Sequence, residues 1–208
     1  MTVVGVDGTK GGWVAIALER GRFPSDYFLP VDTDFAILRD AQVIAVDIPI
    51  GFGPRRADVA ARAFLTGAAS TVFTTPPRHL IEMPFGPGLG ISAQSHALGA
   101  RILHVTGVAR ADSRLREVHP EVSFRAMNER SPVGYRKKSA AGAIKRIELL
   151  RRQEIEITRL TDAASAPLDD VLDAAAAAWS AQRILSGEAK SLPDPPKVVD
   201  GYPVAIWY

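Results

Sequence analysis

Residues 2–7 form a near-continuous apolar run, interrupted at Gly5 and closed by Asp7, and this pattern predicts a buried strand. Gly8-Thr9-Lys10-Gly11-Gly12 supplies a tight turn, and Trp13 to Leu18 then returns as the second strand of a hairpin. A third strand is expected around Tyr27 to Leu29, and Thr33 to Arg39 suits a short helix capped by Asp32 or Thr33. Val43 to Asp47 is the fourth strand, too short and too β-branched for a helix.

Pro49 and Pro54 break the chain, after which Ala57 to Leu65 takes up a helical period. Ser70 to Gly90 is dense in Pro, Gly and Thr and is expected to be loop; Ser92 to Val105 is again helical. Glu117 to Phe124 has the pattern of a fifth strand interrupted by Pro120, which predicts an edge position or a bulge. Ala140 to Arg151 is amphipathic, with Ile144, Ile147 and Leu149 or Leu150 directed to the core.

Asp169 to Leu185 is the last long helix, with Asp169 as its N-cap, and Ala174 to Ala178 gives it a small-residue face able to lie close against a sheet. The proline-rich stretch 193–196 leads into a terminal hairpin centred on Asp200-Gly201. Strands separated first by turns and later by helices indicate a mixed α/β sheet, antiparallel in its first part and crossed over through helices afterwards.

A chain of 208 residues has room to bury a substantial core as one domain. Hydrophobic content of 47% with 23% charged residues is ordinary for a globular protein, and no apolar run is long enough to span a bilayer. The absence of cysteine excludes disulfides and thiolate metal sites. Residues 2–7 run straight into a strand and turn rather than a signal peptide, so cytoplasmic residence is the expectation. Net charge is only +2, yet basic residues cluster around Arg55, Arg56 and Arg62 and again between Arg125 and Arg152, which permits a nucleic-acid partner without demanding one.

The candidate chemistry lies in carboxylates at the ends of apolar runs. Asp7 ends the first strand and Asp47 the fourth; if those strands are neighbours, the two carboxylates lie side by side. Asp170 and Asp173 stand three apart on the last helix and share a face. Carboxylates gathered at one sheet edge can hold divalent ions about 4 Å apart and promote phosphodiester cleavage.

Four stretches carry a family resemblance: Gly5 to Val14, Asp47-Ile48-Pro49-Ile50-Gly51-Phe52, His119-Pro120-Glu121-Val122-Ser123-Phe124, and Asp169-Asp170-Val171-Leu172-Asp173-Ala174. Together, in this order and over nearly the whole chain, they resemble the domain-of-unknown-function 429 family, regarded as predicted nucleases of the ribonuclease-H-like fold. The resemblance implies a five-stranded sheet in the order 3-2-1-4-5 flanked by helices, here with the C-terminal hairpin added. It implies one domain over 1–208 with insertions at about 53–110 and 125–140.

It further implies a magnesium- or manganese-dependent nuclease working by a two-metal mechanism. Asp7, Asp47, Glu121, Asp170 and Asp173 are then the candidate catalytic metal ligands, with Glu121 additional to Asp47 or replacing it. His119 is the candidate proton shuttle. Arg55, Arg56, Lys137 and Lys138 are candidates for contact with substrate phosphates.

Two alternatives stay open. Asp7-Gly8-Thr9 followed by glycines also resembles the first phosphate loop of sugar kinases and actin-like ATPases, which would make this a nucleotide-binding protein. A non-catalytic binding domain of the same fold is the other.

Overall fold

The computed structural model describes residues 1–208. Strands β1 (Thr2–Thr9), β2 (Gly12–Glu19), β3 (Arg22–Pro30), β4 (Ala41–Asp47) and β5 (Leu115–Glu117) form one sheet in the order β3-β2-β1-β4-β5. The first three strands are antiparallel, while β4 and β5 run parallel to β1. This is the expected α/β class and strand order of the ribonuclease-H-like fold. The β1–β2 hairpin closes over Lys10 and Gly11, the latter at φ 82°, a conformation glycine adopts without steric cost.

Alternate side chains of each strand feed two cores on opposite faces of the sheet. Val3, Val14, Ile16, Leu18, Val43 and Ala45 face helix α7 (Leu168–Ser186). Val4, Val6, Trp13, Ala15, Ile44 and Val46 face Ile102, Val105 and Ala109 of helix α4 (Gly99–Ala111). Helix α7 lies directly over β1, β2 and β4. Its alanines come so close that a Cβ added at Gly5 would stand 2.0 Å from the Ala178 nitrogen and 2.1 Å from the Ala174 carbonyl oxygen. Only a strand glycine under a helix alanine face permits that approach, and the approach fixes where the first turns of α7 meet the end of β1.

The helix read at 57–65 is α1 (Arg56–Phe64). Several other elements differ from expectation. The third strand is nine residues long rather than a short segment at 27–29. Residues 33–39 hold a single 3-10 turn, Ala36–Leu38, with Thr33 Oγ1 accepting from Phe35 N and Asp34 Oδ1 from Ala36 N; Asp32 caps nothing. The loop at 70–90 contains a 3-10 turn, Ala69–Thr71, and the short helix α2 (Arg78–Ile81). The helical stretch after it is divided into α3 (Ala93–Ala97), capped by Ser92, and α4.

The fifth strand is not 117–124. It ends at Glu117, and Pro120 opens helix α5 (Pro120–Met127) at the position where a missing N–H is harmless. Helix α6 (Ala140–Arg152) buries Gly142, Arg146, Leu149 and Leu150, so Ile144 is exposed rather than directed to the core. Arg146 takes the inward place because Glu121 on α5 receives its guanidinium at 2.5 Å. The N-cap of α7 is Pro167, and Asp169 lies in its first turn.

At the C-terminus, β6 (Ser191–Val199) and β7 (Tyr202–Trp207) make the expected hairpin. Asp200 and Gly201 both have positive φ, at 49° and 79°, as the two-residue mirror-image turn requires. The prolines at 193, 195 and 196 lie inside β6, where the register is irregular between Leu192 and Lys197. No helix is long and apolar enough to cross a membrane.

Candidate metal centre

Parallel pairing of β1 with β4 puts Asp7 directly opposite Asp47 at the carboxyl ends of both strands. Asp173, in the second turn of α7, is carried to the same point by the close packing of that helix over Gly5. The three carboxylates each offer an oxygen within 4.8 Å of the others. Asp7 and Asp173 are buried and Asp47 is half-buried. Gly8 N donates to Asp7 Oδ1 at 2.7 Å, whereas Asp173 Oδ1 is buried without any hydrogen-bond partner.

Like charges this close, taken out of water, hold their protons. Burial is the largest cause raising the Asp7 carboxyl well above its ordinary range, followed by the neighbouring Asp47, Asp173 and Asp170. Burial likewise pushes Asp47 and Asp173 up to about 7, and the ammonium of Lys137 opposes both shifts. Lys137 Nζ donates to Asp173 Oδ2 at 2.7 Å, and the carboxylates around it hold its own pKa above the ordinary lysine value despite its burial. Once ionised, three carboxylates outweigh the single ammonium, and one buried Asp173 oxygen is free of any partner. Three such hard oxygen donors can hold a metal ion.

The cluster opens on a cleft of about 960 Å³ whose lining includes residues of the segments 67–73 and 132–137. The remaining expected site residues divide around it. Asp170 is half-buried in the first turn of α7 and acts on Asp7 through its charge, but it is not one of the three converging carboxylates. Glu121 lines the cleft with its carboxylate paired to the buried Arg146, also outside the cluster. His119 lines the cleft as the N-cap residue of α5; burial lowers its pKa and keeps it neutral. Its Nε2 meets the Thr71 carbonyl at 3.3 Å, and its Nδ1 is buried without a partner.

Among the expected phosphate contacts, Lys137 is drawn into the carboxylate cluster, and exposed Lys138 has its ammonium 3.7 Å from Asp169. Arg56 is exposed at the start of α1. Arg55 is buried, and all five of its N–H donors are taken by Asp58, Glu117 and the Ile50 carbonyl, leaving none for a phosphate.

That network identifies a residue the sequence reading missed. Glu117, on β5 opposite Val46, accepts from Arg55 at 2.6 and 2.8 Å and from the backbone N–H of Ile50 at 2.8 Å. It thereby fixes the chain just beyond Asp47. Its signal is its place between Leu115 and Val118, both buried, since a buried carboxylate requires a buried cation.

No curated protein and no solved structure matches this chain. Residues 5–198 match the family model described as "Protein of unknown function (DUF429)", and the chain belongs to that family.

Proposed function

We propose that this protein is a metal-dependent phosphodiesterase acting on nucleic acid. One observation carries the proposal: Asp7, Asp47 and Asp173, from two adjacent strand ends and one helix, converge within 4.8 Å in the lining of a large cleft, with an Asp173 oxygen left free. Such a set is costly to bury unless a cation repays the desolvation, so its presence beside a cleft speaks for a ligand.

Asp7, Asp47 and Asp173 would hold a magnesium or manganese ion. Bound there, the ion supplies Lewis-acid activation of the scissile phosphate and a more acidic water. Asp170 and Glu121 are the carboxylates available to a second ion, Glu121 on release from Arg146. Lys137 neutralises Asp173 in the free protein and, once exchanged for the ion, is placed to meet the substrate phosphate. Neutral His119 fastens the Thr71 wall of the cleft, which supports a positioning role for it over proton transfer.

Lys137, already paired with Asp173, is the observation that favours a non-catalytic binding domain instead. The deciding experiment is cleavage of labelled single-stranded, duplex, hybrid and branched nucleic acids with manganese or magnesium. Cutting that requires metal and vanishes in Asp7→Asn and Asp173→Asn is the expected result. No cutting of any substrate by a protein that still binds metal would defeat the nuclease proposal.

A further inference from the structure

Arg101, in the first turn of α4, lies against the strand end that carries Asp7. Its guanidinium sits over the ring of Trp13, 4.9 Å from the centroid, and its Nη2 donates to the carbonyls of Thr9 at 2.6 Å and Gly12 at 3.1 Å. The platform is rigid: Trp13 is fully buried, packs edge-on against Phe35 and donates its indole N–H to the Val31 carbonyl at 3.2 Å.

Gly8 completes the arrangement. A Cβ on Gly8 would stand 2.5 Å from Arg101 Nη1, so the residue beside Asp7 has to be glycine for the guanidinium to lie there. The two Nη2 hydrogens are occupied, while Nη1 and Nε make no hydrogen bond within the protein. Arg101 enters no ion pair, unlike Arg55 and Arg146, whose charges are neutralised by Asp58, Glu117 and Glu121. A guanidinium held by stacking and by two carbonyls, with a free amino group over the strand end next to a carboxylate cluster, is prepared for an anion.

We infer that Arg101 anchors the substrate strand by binding a backbone phosphate through Nη1 on the Asp7 side of the cleft. The inference rests on the nucleic-acid substrate proposed above and assigns the residue that positions it. Arg101 is a positioning residue for the phosphodiester that water cleaves at the cluster.

The test is binding of short labelled single-stranded, duplex, hybrid and branched DNA and RNA, followed by fluorescence anisotropy with calcium across a salt series. Wild type, Arg101→Ala and Arg101→Lys are compared, with thermal unfolding to confirm that each variant is folded. Loss of one charge-assisted contact weakens binding of Arg101→Ala by about 10- to 100-fold. It also makes the dependence of log K on log salt less steep, by about 0.7 on a single strand and about 0.9 on a duplex. Arg101→Lys keeps the charge without the stacked, carbonyl-held geometry, so it recovers the slope and only part of the affinity.

A scan of neutral methylphosphonate linkages separates contact from structure. At one position the substitution weakens wild type by the same factor and leaves Arg101→Ala unaffected. Arg101→Ala binding as wild type does, or weaker binding with an unchanged salt slope and unchanged methylphosphonate sensitivity, overturns this assignment alone. A wild-type protein that binds neither DNA nor RNA overturns the proposed substrate and the assignment with it.

Discussion

Replacing Gly5 by alanine tests whether the carboxylate cluster is built by the packing of α7 on β1. The new methyl would meet main-chain atoms of Ala178 and Ala174 at 2.0 and 2.1 Å, where ordinary contact begins at 3.4 Å, so the helix has to withdraw by more than an ångström. Main chain cannot rotate aside as a side chain can, which places the cost at the upper end of the overpacking range, about 3 kcal/mol. The same withdrawal carries Asp173 away from Asp7 and Asp47, whose oxygens now fit within 4.8 Å. Loss of that geometry weakens manganese binding by about 10- to 100-fold.

Urea unfolding and calorimetric manganese titration read the two effects separately. Gly107→Ala, in exposed space on α4 with nothing within 4 Å of the added methyl, is the control. It should stabilise by about 0.5–1 kcal/mol and leave metal binding alone. A Gly5→Ala protein with the wild-type unfolding midpoint and manganese affinity would refute the link between helix packing and the site.

Lys137→Met removes the ammonium that competes for Asp173; manganese affinity should rise about tenfold in a calorimetric titration. Asp47 and Asp173 are held up to about 7 in the folded protein, against about 3.9 for an unfolded aspartate. The folded state therefore binds more protons between these values. Stability of the metal-free protein should be highest below about pH 4 from these groups and fall as pH rises through about 7. Asp47→Asn should flatten that part of the profile of thermal midpoint against pH. Metal affinity should show the opposite trend, rising through the same interval as protons leave the site. Glu117→Ala strands the buried Arg55 and releases Ile50 N, and urea unfolding should show a loss of about 3–5 kcal/mol.

Much of this architecture is legible along the chain because local pattern and tertiary environment agree. The apolar runs ending at Asp7 and Asp47 are central strands, and Asp200-Gly201 has the backbone conformation its residues favour. Around His119 they part. Val118, Val122 and Phe124 suggest a strand broken by Pro120, yet the same proline is at home in the first turn of a helix, and here it opens α5. Ile144 looks inward until the Glu121–Arg146 pair turns α6 by its own demand for a buried partner.

The site divides in the same way. Asp7, Asp47 and Asp173 could be named from strand ends and motif resemblance. Glu117 and Glu121 are neighbours in sequence and equally acidic; only the β4–β5 register, pairing Val46 with Glu117, assigns the first to Arg55. Arg101 gives no local signal at all, since its stacking on Trp13 joins residues far apart in the chain.

The most direct test of the central claim is calorimetric titration of manganese into wild type, Asp7→Asn and Asp173→Asn at a pH above 7. Binding to wild type that is abolished or weakened at least tenfold in both folded variants is the predicted result. No binding to wild type, or equal binding in all three, would contradict a metal centre at Asp7, Asp47 and Asp173.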